Sequence, residues 1–116
     1  MPHKTFLLTP EQIRPLANDF GSCLATDRIV VDGKRVGYCY REAPDSALDS
    51  GWRFFAGDEV QEYVENPCNL GIYDVNTVAN YDPQIVPLLS SPAGSAFERN
   101  SAGAFVATSF SKPGEA

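Results

Sequence analysis

Histidine is nearly missing from this chain: His3 is the only one in 116 residues. Nucleophilic hydrolysis of the Ser–His or Cys–His kind needs a base beside its nucleophile, so that machinery is excluded. A histidine-bearing zinc site fails for the same reason. Cysteine is also scarce, with Cys23, Cys39 and Cys68 odd in number and in no close metal-type spacing. Cys39 reads as a small buried strand residue and Cys68 as a loop thiol, both reduced, as in a cytosolic protein. Neither the Walker-type phosphate loop nor the GxGxxG fingerprint occurs, which removes the standard nucleotide cradles. The N-terminal stretch MPHKTFLLTPEQIRP has no sustained apolar run, so the sequence predicts neither signal peptide nor membrane span and points to the cytoplasm. Positive charge is short too: nine Lys and Arg against fifteen Asp and Glu give a net charge of -6. That balance argues against nucleic acid and anionic membrane as partners, because phosphate neutralisation needs a basic patch. Lys34 and Arg35, the only adjacent bases, read as a solvated loop tip.

What the chain does have is a soluble domain's composition, 43% hydrophobic and 21% charged, on a length that fits one domain with a core of ordinary size. Its acids are unevenly placed. Between Glu42 and Glu98 lie ten of them (Glu42, Asp45, Asp49, Asp58, Glu59, Glu62, Glu65, Asp74, Asp82 and Glu98) against one base, Arg53. The run DSGWRFFAGDEVQEYVENP, Asp49 to Pro67, sets Trp, Phe and Tyr among those carboxylates. An acidic, aromatic-rich middle suggests a surface that recognises something basic.

The order of elements follows from local signals. Thr9-Pro10-Glu11-Gln12 is a capping box with Pro at the first helical position, and Pro15 keeps that helix short or kinked. Residues 23 to 31 read as extended, ending in the β-branched run Ile29-Val30-Val31. Asp32 to Arg35 supplies turn chemistry, and Val36 to Arg41 returns as a strand with Val36, Tyr38 and Tyr40 on one face. Ala43 to Ser46 is a loop, and Asp49-Ser50-Gly51 a turn. Trp52 to Ala56 is a strand with Trp52, Phe54 and Ala56 opposite Arg53 and Phe55. Asp58 is expected to cap a helix with Val60, Tyr63 and Val64 as its apolar stripe, ended by Asn66-Pro67. Leu70 to Tyr73 suits a strand, Asp74 starts a short helix with Val75, Val78 and Ala79 on one side, and Asp82-Pro83 starts a turn of helix that Pro87 interrupts. Gly94 to Arg99 suits a last strand, and Ala104 to Phe110 either adds an edge strand or stays unstructured. The fold class predicted is α+β, a single domain with a mostly antiparallel sheet and short helices packed on it. Residues 1–21 form an N-terminal helical extension, 22–99 the main domain, and 100–116 an Ala/Gly/Ser-rich tail.

Carboxylates alone could still serve acid–base or metal chemistry. Glu59, Glu62 and Glu65 lie three residues apart with Asp58 on the same side, where they repel by roughly a few tenths of a kcal/mol per pair. The plain reading is a solvated helix face, and the functional one a face for a partner. Arg53 is expected to pair internally with one or two acids. Trp52 reads as core, and Trp52 or Tyr63 would anchor a partner only if exposed. Asp45 and Asp49 sit in a loop whose flanks favour exposure, which makes them candidates for contact.

Three ordered stretches, VGYCYREAPDSALDSGWRFFAGDE, NLGIYDVNTVANYDPQIVPLL and GSAFER, closely resemble a bacterial family first grouped as a domain of unknown function and later as immunity protein family thirty-three of the polymorphic-toxin systems. The resemblance covers about residues 22 to 99. It implies neutralisation of a toxin, and it brings no catalytic residues. The function expected is therefore a non-enzymatic immunity protein, without cofactor or metal, that binds a basic cognate toxin domain. The attracting charges would be Asp45, Asp49, Asp58, Glu59, Glu62 and Glu65, with Trp52 and Tyr63 as conditional anchors. The rival readings are a housekeeping domain that binds a small ligand, marked by a deep apolar pocket lined with aromatics, and a metal-dependent carboxylate enzyme, marked by bound divalent metal.

Overall fold

Strand β3, Asp49–Phe55, shows how the sequence builds the domain. Its side chains alternate between two sheet faces, as a pleated strand requires. Trp52 and Phe54 enter the main core, and Phe55 enters a smaller cluster behind the sheet. The computed structural model describes residues 4–109; His3 and residues 110–116 of the tail lie outside the described residues. Around β3 stand β1 (Ser22–Thr26), β2 (Tyr38–Arg41), β4 (Leu70–Asp74), β5 (Ala96–Arg99) and β6 (Phe105–Ala107). They form one six-stranded sheet in the order β4-β1-β3-β2-β5-β6. Only β1 and β3 pair in parallel; the other neighbours are antiparallel. With the short helices α1 (Asp27–Val30), α2 (Gln61–Glu65) and α3 (Val75–Tyr81), this is a single compact α+β domain.

One sheet face carries the core. Ile29 and Val30 of α1, Val75, Val78 and Ala79 of α3, and Ile85 and Leu89 cluster with Cys23, Ala25, Cys39, Trp52 and Phe54. Asp74 starts α3 as expected, its carboxylate accepting from the Asn76 N–H at 2.8 Å. Trp52 is fully buried and donates its indole N–H to the Leu89 carbonyl at 3.3 Å. Asp82, also buried, accepts from the Val36 N–H and pairs with Arg99, which ties the loop before β2 to β5. Both core cysteines are held as thiols by burial, Cys39 with its pKa pushed up to about 12.

Several local expectations are corrected. Residues 23–31 do not form one strand: β1 ends at Thr26, and Ile29 and Val30 turn into a single helical turn because both can then reach the core. Residues 32–35 consequently make no hairpin, since β1 pairs with β3 and β4 while β2 lies beyond β3. Val36 is buried in the main cluster, apart from Tyr38 and Tyr40, which share the opposite face with Phe55. Asp49, Ser50 and Gly51 belong to β3, at a register irregularity where Gly51 takes φ 88°. The N-terminal capping box is real, with the Gln12 side chain accepting from the Thr9 N–H at 2.8 Å, but it closes only a 3-10 turn, Pro10–Gln12. Phe105–Ala107 does add an edge strand, on β5.

Candidate partner-binding surface

The six candidate acids fall into two groups at opposite ends of β3, roughly 20 Å apart by strand rise. At the first end, Arg53 is 2% exposed on the sheet face away from the core. Its guanidinium donates from Nε to Glu42 at 2.7 Å and from Nη1 and Nη2 to the two Asp49 oxygens at 2.9 and 2.8 Å. The bidentate geometry suits a planar guanidinium and gives Asp49 its fixed place. Asp49 also accepts from the backbone N–H groups of Gly51 and Asp45. The hydrogen bonds from Arg53 hold the Asp49 carboxyl well below the usual carboxylate range, with those backbone donors adding to the effect. Asp45 stands at the fringe, 3.6 Å from Arg53 and 88% exposed. The sequence therefore identified the internal pairing of Arg53, while Asp49 is mostly consumed by it.

At the second end, Asp58 does not cap α2. It pairs with Arg28, which lowers its pKa through that hydrogen bond, and the helix begins after Val60 instead. Glu59 turns inward: one oxygen accepts from the Thr26 hydroxyl at 2.6 Å and the Ala56 N–H at 2.7 Å, the other from the Gly57 N–H at 2.8 Å. It staples the turn after β3 to the end of β1. The expected apolar stripe is looser than predicted, because Val60 is 64% exposed while Val64 packs on the cluster of Tyr40, Phe55 and Ala96. Tyr63 is half-buried, and burial raises its hydroxyl pKa. Glu62 and Glu65 remain exposed, Glu65 holding only an intrahelical contact with Gln61 at 3.2 Å. Bases distant in sequence also gather here: Lys34, Arg35 and Arg99 share with Asp58, Glu59 and Glu98 a broad open basin of about 900 Å³.

Trp52, fully buried, does not meet the exposure condition set for an anchor. The exposed charges among the eight candidates are Asp45, Asp58, Glu62 and Glu65. Sequence reasoning missed Leu24 and Ile72, cross-strand neighbours on the face that holds Arg53. Ile72 is 74% exposed. The alternation of Leu70 to Asp74 places Ile72 on that face, but nothing local marks β4 as a terminal strand. Separately, Phe6, Leu8, Ile13, Val30, Tyr73 and Tyr81 line an apolar hollow of about 390 Å³ beneath the N-terminal segment. The Tyr81 hydroxyl closes it by accepting from the Leu8 N–H at 2.9 Å. Among the described residues, no group of His, Cys, Asp and Glu is arranged to hold a metal ion, and no helix is long and apolar enough to cross a membrane.

The family model of the immunity protein Imm33 domain matches residues 23–109, most of the chain, and the chain belongs to that family. No curated protein and no solved structure matches it.

Proposed function

We propose that this chain is a non-enzymatic, cytoplasmic immunity protein that neutralises a cognate bacterial toxin by binding it directly, with an acidic surface attracting a basic partner. The observation that carries the reading is the family match over residues 23–109. The net charge of -6 supports the sign of the partner. Exposed carboxylates steer a basic cleft into register and raise association to as much as about 10⁸ per molar per second at low salt. Asp45, Glu62 and Glu65 are the charges best placed for this role, because they are exposed and little engaged within the fold. Asp58, Glu59 and Asp49 contribute to the field from fixed positions, and Tyr63 offers a half-buried rim contact.

The test is growth rescue. The C-terminal domain of the protein encoded beside this gene is expressed with and without this chain. Rescue with co-purification is expected; a toxic neighbour that the chain neither rescues nor binds would contradict the pairing.

The apolar hollow of about 390 Å³ favours a second reading, a site for a small uncharged ligand. Its volume falls within the range of ordinary ligand pockets. Filling it by Thr77→Phe would abolish binding of an apolar fluorescent dye on that reading and would leave toxin binding unchanged on the first.

A further inference from the structure

The geometry points to the outer sheet face at β1 and β4 as the docking surface for the toxin, an inference that rests on the immunity reading. The sheet's core face is buried under α1 and α3, whereas this corner of the other face stays open. Leu24 and Ile72 are cross-strand partners there, Leu24 half-buried and Ile72 74% exposed. β4 ends the six-stranded order, so among the described residues no strand lies beside its outer edge. A large β-branched side chain displayed on an edge strand is a liability for a protein that works alone.

The surroundings state what fits. Leu24 and Ile72 share a shallow hollow of about 120 Å³ with Ser22, Asp45, Asp49 and Arg53. Asp74 follows Ile72 on the same side of β4, opposite Ser22. Glu42, Asp45 and Asp49 thus place three carboxylates around one guanidinium, Arg53, which donates to Glu42, Asp49 and the Trp52 carbonyl. The excess charge is negative, and its most exposed member, Asp45, lines the same hollow as the apolar pair and is 88% exposed. The complementary surface is an apolar side chain seated on Leu24 and Ile72, with a Lys or Arg beside it reaching Asp45. A second copy of this chain would bring like charges together at the same corner, which favours the basic toxin domain as occupant.

The experiment measures binding of the neighbour-encoded toxin domain to the full chain and to Ile72→Asp, Ile72→Ser and Asp45→Lys, with thermal melts confirming that each variant folds. Sedimentation of the chain alone accompanies it. Expected are a loss of affinity of at least about tenfold for Ile72→Asp, a smaller loss for Ile72→Ser, and slower association for Asp45→Lys. Wild-type binding that all three folded variants retain within about twofold would overturn the docking surface and leave the immunity reading standing. Failure of the wild type to bind would overturn both. A wild-type dimer that Ile72→Asp converts to monomer would assign the face to a second copy and also overturn the inference.

Discussion

The two ends of β3 carry similar runs of acids and use them differently. At the Asp49 end, Glu42 and Asp49 converge on a buried guanidinium, so their charge is spent on holding β3 and the 42–49 loop together, and Asp45 at the fringe stays exposed. At the Asp58 end, Glu59 is spent on backbone amides and a hydroxyl from β1, Asp58 is exposed but paired with Arg28, and Glu62 and Glu65, a helical turn further on, face solvent. Carboxylates that look alike in sequence thus divide into those that fold the domain and those available to a partner. Desolvation makes the difference: a buried charge needs its counter-charge in place, while an exposed one is already stabilised by water.

Breaking the first end should cost most. Arg53→Ala leaves Glu42 and Asp49 without their counter-ion around a buried position, and a loss on the order of 3 to 5 kcal/mol is expected in urea unfolding. Glu59→Ala comes next. It removes three hydrogen bonds to a carboxylate, some of whose donors water can reach, so about 2 kcal/mol is expected, with the turn at residues 56–60 gaining hydrogen exchange.

Acid titration sharpens the same contrast more gently. The folded pKa of Asp49 lies below its unfolded value near about 3.9, so its contribution is fully present at neutral pH. That contribution shrinks as pH falls below about 4 toward the folded pKa. Wild type should therefore exceed Asp49→Asn in melting temperature at pH 7, and the gap should narrow progressively in more acidic buffers. A gap independent of pH would deny Asp49 its ionic role.

The smallest effect on folding belongs to the free charges. Glu62→Lys with Glu65→Lys should change stability by no more than about 0.5 kcal/mol. The same pair should slow association with a basic toxin domain and weaken the dependence of that rate on salt. Destabilisation comparable to Glu59→Ala would place these residues with the structural acids.

Much of the frame was legible in local pattern. Alternation gave the two faces of β3 from Trp52 onward, Asp74 marked the start of α3 with its Val75, Val78 and Ala79 side, and a lone Arg53 among acids implied internal pairing. What escaped depends on partners distant in the chain. Ile29-Val30-Val31 has strand propensity, but burial against α3 and the sheet selects one helical turn for Ile29 and Val30. Glu59 reads locally as a helix-start residue, yet the helix begins after Val60 and the Glu59 carboxylate bonds to Thr26, 33 residues away, a contact no local rule encodes. Counting bases only between Glu42 and Glu98 likewise hid Arg28, which the fold brings to Asp58. The exposed Leu24–Ile72 corner required knowing the strand order, because the same apolar alternation would serve a strand covered on both faces.

The most direct measurement is a calorimetric titration of this chain with the neighbour-encoded toxin domain at two salt concentrations. Direct neutralisation through an acidic surface predicts a saturable complex whose affinity falls as salt rises. A demonstrably toxic domain that gives no complex at either concentration would contradict it.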